Sequence, residues 1–97
     1  MYQVITSSQF DEWLTSLDKH ARGRIIARLD KAERGLLGDT KPVGNGISEM
    51  REHFGPGYRL YYKIHGKIIL VVLAGGDKST QPKDIAQAVK IAKEYRK

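Results

Sequence analysis

The chain has 97 residues, 40% of them hydrophobic and 29% charged, which predicts one soluble globular domain over residues 1–97 and excludes a disordered or membrane-spanning chain. Its 17 Lys and Arg against 11 Asp and Glu give a net charge of +6, and all of this excess lies in residues 41–97, since residues 1–40 carry six charges of each sign. Cysteine is absent, which excludes disulfides and thiolate metal sites, and no secretory signal pattern opens the sequence, so we expect a cytoplasmic protein.

The first 40 residues predict a short strand and two helices. Tyr2 to Ile5 are rich in β-branched residues and predict an edge strand. Apolar residues at helical spacing predict a first helix from about Ser8 to Leu17. A second helix should follow after a polar break and end near Gly38, a natural helix terminator. Its apolar stripe is formed by Ile25, Ile26, Leu29, Ala32 and Leu36.

After residue 46 the hydrophobic period changes from 3.6 to 2. Residues 39–46 have the composition of a loop, and the alternation beyond them predicts two strands on either side of the turn at Gly55–Gly57. His65–Gly66 predicts a two-residue hairpin loop. Lys67 to Ala74 is apolar on both faces, as expected of a central strand.

A last helix should follow the glycines at the end of this strand. Ser79 or Thr80 is the expected N-cap, and Pro82 fits the first turn. Its predicted buried stripe consists of Ile85, Ala88, Val89 and Ala92.

These elements predict an α+β fold, with an antiparallel sheet and all three helices packed on one face. The other face would then carry the polar alternates of the strands. Arg59, Tyr61 and Lys63 alternate along one strand and Arg51 lies on its neighbour, so we expect the four side chains to share an exposed basic surface.

A basic surface on a small domain favours a polyanionic partner, with nucleic acid the commonest case. RNA can be cleaved when its own 2′-hydroxyl attacks phosphorus and the protein stabilises the added charge, a task that suits the planar guanidinium of Arg. A Tyr among the cations can stack on a base or help to transfer a proton. A merely solvated basic face is an equal alternative, because exposed Arg and Lys are the rule.

The three histidines do not predict a metal site. His20, His53 and His65 have none of the spacings of metal ligands. His53 alone lies near the predicted basic surface, where it could act as a general base, and a surface His without function is the alternative.

The run GGDKST at residues 75–80 joins a strand to a helix and suggests a phosphate loop. It lacks the Walker spacing, because Asp77 stands where a Gly must precede the Lys, so no nucleotide cofactor is predicted. Close approach of a partner to the glycines and an ordinary strand-to-helix turn both fit the segment.

Three stretches of the sequence read EMREHFGPGYRLYY at residues 49–62, LAGGDKSTQ at 73–81 and KDIAQA at 83–88. Together they resemble the addiction-module killer proteins, which are HigB-like toxins of the RelE/ParE superfamily. The similarity extends over nearly the whole chain, including the helix that contains Trp and the Arg-rich helix after it. The combination of GPGYR, GGDKSTQ and DIxxA is specific to this group.

The resemblance implies a RelE/ParE-like fold and the toxin of a type II toxin–antitoxin system. By motif position, Arg51 and Arg59 are expected to contact the phosphate and the transition state, and Lys78 to be a further active-site cation. Strand alternation adds Tyr61 and His53 to the expected catalytic set. Further RNA contacts are expected at Lys63, Gln81 and Lys83.

Toxins of this kind typically cut mRNA, usually in the ribosomal A site, and a co-expressed antitoxin silences them. We therefore expect an mRNA endoribonuclease that needs no metal or other cofactor, inhibits translation, and has mRNA and a cognate antitoxin as partners but no membrane. A small acidic antitoxin should cover the basic face or brace the two N-terminal helices. A ParE-like gyrase poison without nuclease activity is the alternative, and a nucleic-acid-binding module without activity is a third.

Overall fold

A five-stranded sheet forms the centre of the molecule and carries helices on both of its faces. The computed structural model describes residues 1–66 and 69–94, except for the side chains of residues 69–71. The strands are β1 Gln3–Thr6, β2 Thr40–Gly44, β3 Ile47–Arg51, β4 Arg59–His65 and β5 Ile69–Gly76. The helices are α1 Ser8–Ser16, α2 Lys19–Glu33 and α3 Gln81–Glu94, the last preceded by a 3-10 turn at Lys78–Thr80.

The strand order is β1-β5-β4-β3-β2, and this arrangement confirms the predicted α+β class. All neighbouring strands are antiparallel except β1 and β5, which run parallel. The prediction of a purely antiparallel sheet is therefore wrong at β1, although β1 does lie at an edge. A parallel neighbour requires a long connection, and α1, α2 and three strands separate β1 from β5 along the chain.

Strand β2 lies where the composition predicts a loop. It is the other edge of the sheet, and an edge strand tolerates Pro42 because the missing N–H can face away from the neighbouring strand. Asn45 and Gly46, with φ angles of 57° and 75°, form the two-residue turn that joins β2 to β3. This pair is the preferred sequence of a type I′ hairpin turn, a signal that the loop prediction overlooks.

The prediction that all helices pack on one face is wrong, because α3 covers the face opposite to α1 and α2. Leu60 and Tyr62 of β4 pack in the cluster that includes residues of α1 and α2, whereas Tyr61 between them packs against α3. The physical reason is that the sequence of β5 is apolar on both faces. Neither face of such a strand is stable in water, so each needs a helical cover.

Helix α2 ends earlier than the predicted terminator at Gly38. Its N-cap is Asp18, whose side chain accepts a hydrogen bond from the Ala21 N–H, and its last residue is Glu33. Two residues of the predicted apolar stripe are exposed: Leu36, beyond the end of the helix, by 60%, and Ile26, within the helix, by 44%.

The turn between β4 and β5 contains Gly66 at a φ of 72°, a conformation that glycine adopts readily. The predicted strand start at Lys67 and Ile68 lies outside the described residues. Within the described residues, no helix combines the length and the apolar composition needed to cross a membrane.

Gly75 is required by the packing of α1 on β5. A Cβ atom at this position would lie 2.3 Å from Cε3 of Trp13. We therefore expect Gly75→Ala to lower the free energy of unfolding by about 1–3 kcal/mol, measured by urea denaturation. Gly23→Ala is the matched control, because Gly23 lies in α2 with nothing within 4 Å of its Cβ position and should gain about 1 kcal/mol. Unchanged stability of Gly75→Ala would contradict this packing.

Candidate functional site

A hollow of about 290 Å³ opens where β3 ends, β4 begins and the chain leaves β5. We call it the Gly57 hollow. Three of the predicted site residues, His53, Arg59 and Lys78, line it together. The remaining lining residues are Glu52, Gly55, Pro56 and Gly57.

Arg59 is the most buried cation of the hollow, with 7% of its surface exposed. Its Nη1 donates to the carbonyl oxygens of Gly57 and Tyr58, both at 3.3 Å. Its Nε lies 3.9 Å from the buried Glu49 carboxylate and has no hydrogen-bond partner among the described residues. The guanidinium is thus held between the Glu49 carboxylate of β3 and the carbonyl oxygens of the loop that forms the hollow.

Lys78 reaches the same hollow from the turn that follows β5. Its aliphatic stem passes over Gly57, where an added Cβ would lie 2.9 Å from Cδ of Lys78 and 3.7 Å from Nη1 of Arg59. Gly57 also has a φ of 79°, which other residues rarely adopt. The missing side chain at Gly57 therefore leaves room for the Lys78 stem beside the Arg59 guanidinium.

The turn that presents Lys78 is fixed by its own cap. Asp77 is the N-cap of this 3-10 turn, and its carboxylate accepts hydrogen bonds from the N–H and the hydroxyl of Ser79. These bonds lower the pKa of Asp77. The Thr80 side chain completes a capping box with the Asp77 backbone, so Lys78 is held in a short ordered turn.

Asp39 joins Arg51 to His53 and does not itself line the Gly57 hollow. Its Oδ1 accepts from Arg51 Nη2 at 3.0 Å, and its Oδ2 lies 2.5 Å from His53 Nε2. The hydrogen bonds from Arg51 and His53 lower the pKa of Asp39 from 3.8 to about 2. Arg51 does not line the Gly57 hollow; its guanidinium is one-third exposed, and the bond to Asp39 raises its pKa.

Arg28 anchors the segments that carry these residues. From the middle of α2, its guanidinium donates to the carbonyl oxygens of Leu37 at 3.0 Å, Asp39 at 2.9 Å and Arg51 at 2.9 Å. It also pairs with the Glu52 carboxylate. Helix α2, the start of β2 and the end of β3 are therefore joined through one side chain.

An aromatic stack supports the loop between β3 and β4. Tyr58 contacts Trp13 of α1 edge-on, with ring centroids 5.9 Å apart, and Phe54 at 5.3 Å. Arg24 of α2 lies over the Phe54 ring at 4.1 Å from its centroid. These contacts hold the loop, and hence the hollow, against the two N-terminal helices.

Tyr61 does not lie on an exposed basic surface as predicted. It is fully buried beneath α3, and this burial raises its pKa to about 12. Its hydroxyl has no hydrogen-bond partner within the described part of the chain. The adjacent Gln81 amide donates to Glu49 at 2.7 Å. The shared basic surface is therefore not formed, because α3 covers the middle of that face.

The three predicted RNA contacts also lie away from the hollow. Lys63 is partly exposed on β4, two residues beyond Tyr61 and four beyond Arg59, and Gln81 is engaged with Glu49. Lys83 lines a different depression of about 570 Å³ between α3 and Gln9. Among the described residues, no group of three or more His, Asp or Glu side chains is placed to hold a metal ion.

Sequence reasoning misses Asp39 and Arg28. Asp39 falls in a segment with loop composition, and Arg28 counts as one of several basic residues around α2. Gly38, which precedes Asp39, is a weak signal for the position of Arg28, since a Cβ atom at Gly38 would lie 3.0 Å from Nη2 of Arg28. No local pattern indicates that either residue contacts β3.

Removing the Arg28 guanidinium should lower the stability of the folded protein. We expect Arg28→Leu to lower the free energy of unfolding by about 3 kcal/mol, because it leaves the Glu52 carboxylate, 12% exposed, without its partner. Arg34→Ala, at an exposed position just after α2, is the control and should change stability by less than about 0.5 kcal/mol. Equal stability of the two variants in urea denaturation would refute the anchoring role.

Asp39 should make stability depend on pH in the acid range. A carboxylate whose pKa is lower in the folded protein stabilises it above the unfolded pKa, and that contribution is lost as the pH falls through the folded value. We expect the stability difference between the parent and Asp39→Asn to be present above about pH 4, to disappear near pH 2, and to shrink at high salt. Asp30→Asn, which removes a carboxylate without a hydrogen-bond partner in the described chain, should show no such trend. Urea titrations at several pH values measure both differences.

The chain matches known proteins over nearly all of its length. Two solved structures share its fold. A chain in the crystal structure of the toxin–antitoxin complex RelBE2 from Mycobacterium tuberculosis has a TM-score of 0.65 at 20% identity, over 79% of this chain and 98% of that one. An Escherichia coli RelE toxin with two arginines replaced by alanine, in the free state, has a TM-score of 0.70 at 19% identity, over 92% and 95%.

The sequence matches are more specific than this likeness of fold. An uncharacterized protein of Haemophilus influenzae is 44% identical over 93 residues, which cover 95% of this chain and 94% of that protein. Residues 12–97 match the family model described as phage derived protein Gp49-like (DUF891). A match of this extent shows that the chain belongs to the Gp49-like family of phage-derived proteins.

Proposed function

We propose that this protein is the toxin of a type II toxin–antitoxin pair and that it cuts mRNA on the ribosome. The fold it shares with the RelE toxin and with a chain of the RelBE2 complex supports the first part. The observation that carries the second is the Gly57 hollow, in which Arg59 and Lys78 converge over one glycine with His53 at the rim.

The hollow suits the cleavage of RNA by its own 2′-hydroxyl. His53 takes the proton of the hydroxyl as the 2′-oxygen forms a bond to phosphorus, and the bond from phosphorus to the 5′-oxygen breaks. The products are a 2′,3′-cyclic phosphate and a 5′-hydroxyl that takes its proton from solvent. The nucleophile belongs to the substrate, so the protein has to supply a base and cations that stabilise the negative charge on the phosphate.

Arg59 and Lys78 supply that stabilisation. The loop carbonyls and Glu49 fix the Arg59 guanidinium, so this cation does not have to be ordered when the charge develops on the phosphate, and the capped turn fixes the backbone that carries Lys78. Preorganised donors of this kind supply a large share of the rate enhancement in many enzymes.

The other predicted residues take different places in this proposal. Arg51 acts at the rim, where it orders Asp39 and adds positive charge. Tyr61, neutral and buried, does not contact substrate. Lys63 and Lys83 are proposed to attract RNA outside the hollow, and Gln81 acts through Glu49.

The proposed antitoxin is an acidic protein. This chain has a net charge of +6 with its excess in residues 41–97, so a partner of opposite charge is favoured and its association should slow at high salt.

Removing the exposed cation tests the nuclease without disturbing the fold. We expect Lys78→Met to lower the rate of mRNA cleavage on programmed ribosomes by about 10², while the melting temperature stays the same. Arg59→Lys, which keeps the charge but loses the bonds to the loop, should lower the rate by a similar factor. Lys93→Ala, at an exposed position near the end of α3 and outside both depressions, is the control.

The readout is a map of RNA 5′ ends after toxin induction and in the purified system. Cleavage by Lys78→Met at the parental rate would refute the site. Growth arrest with DNA breaks and an SOS response, but without new RNA ends, would refute the nuclease and favour a gyrase poison.

A further inference from the structure

His53 is bound to Asp39 in a way that fixes which of its nitrogens is free. Asp39 Oδ2 lies 2.5 Å from Nε2 of His53, and a carboxylate accepts hydrogen bonds but does not donate them. Nε2 must therefore carry the hydrogen. In the neutral imidazole the other nitrogen, Nδ1, is then the proton acceptor.

The carboxylate is itself held in place, although its side chain is 38% exposed. The backbone oxygen of Asp39 accepts from the Arg51 N–H and from Arg28 Nη2, both at 2.9 Å. Its second carboxylate oxygen accepts from Arg51 Nη2 at 3.0 Å. Strand β3 and helix α2 thus fix the backbone of Asp39, and Arg51 also fixes its carboxylate.

We propose that Asp39 is a positioning residue that orients His53 as the general base of the reaction. It keeps the hydrogen on Nε2 and leaves Nδ1 to accept the proton of the 2′-hydroxyl. This inference rests on the proposed nuclease function and adds to it the group that sets the tautomer of its general base, His53.

The same contact operates after the proton has moved. His53 becomes an imidazolium when it accepts the proton, and the negative charge of Asp39 stabilises this cation. Asp39 stays ionised while this happens, because Arg51 and His53 hold its pKa near 2. No proton passes to Asp39, so its role is orientation and charge rather than transfer.

The test uses the full-length toxin and compares cleavage of mRNA on programmed ribosomes. Asp39→Asn keeps the shape of the side chain but can donate to His53 and so favours the wrong tautomer. We expect it to lower the rate about 10- to 100-fold, with His53→Gln lowering it by about 10² or more. Asp30→Asn is the matched control on α2 and should cleave at the parental rate.

A double variant separates this role from a structural one. If Asp39 acts through His53, then Asp39→Asn combined with His53→Gln should be no slower than His53→Gln alone. A further loss in the double variant would show that Asp39 acts through Arg51 or through the fold, and would overturn the proposal. Parental cleavage by Asp39→Asn would overturn it as well.

Imidazole rescue provides a second measurement that a purely structural role would not affect. Added imidazole should restore part of the activity of His53→Ala, and restore less when Asp39→Asn is also present. Equal rescue in both would contradict an orienting contact. A parent toxin that cuts no RNA on ribosomes would instead refute the proposed nuclease function, and with it the role of His53 as its general base. The outcomes above can be observed only with an active parent toxin.

Discussion

The arrangement of the candidate site depends on the position of Arg28. Its guanidinium binds three backbone carbonyls and one carboxylate, and these belong to the loop after α2, the start of β2 and the end of β3. Backbone carbonyls in such loops have no sheet or helix partner, so a multidentate donor is an effective way to satisfy them. Because Asp39 and Arg51 belong to the bonded segments, Arg28 adds to the β2–β3 pairing and to the direct bonds between these two residues in fixing their relative position.

The second constraint is the sheet between two helical layers. The sheet face under α3 holds Tyr61, Leu73 and Ala74, and the same layer encloses Glu49 and most of Arg59. A charged pair is stable there only when further hydrogen bonds surround it, and Gln81 and the loop carbonyls supply them. The buried half of this network holds Arg59 still, and the exposed half of the site, with Lys78 and His53, remains open to a ligand.

The site is therefore assembled from loops that a rigid framework positions. The loop that lines the Gly57 hollow is supported from one side by the stack of Trp13, Tyr58 and Phe54, and from the other by the bonds of Arg59. A missing side chain is required at Gly57, for the approach of the Lys78 and Arg59 side chains, and at Gly75, for the packing of Trp13. In both cases the glycine matters through a partner distant in the sequence.

The sequence by itself determined the α+β class, the existence of three helices and four of the five strands, and the residue types that the site uses. These follow from local causes: hydrophobic period, turn residues and caps act over a few neighbours. It also contained the Asn45–Gly46 signal for β2, which the composition of the surrounding segment obscured. Only the tertiary structure decided that α3 covers the face opposite to α1, because that choice depends on which apolar surfaces meet. The same contacts buried Tyr61, brought Arg59 to Lys78 over Gly57, and joined Asp39 to His53, since each of these pairs is made by segments far apart in the chain.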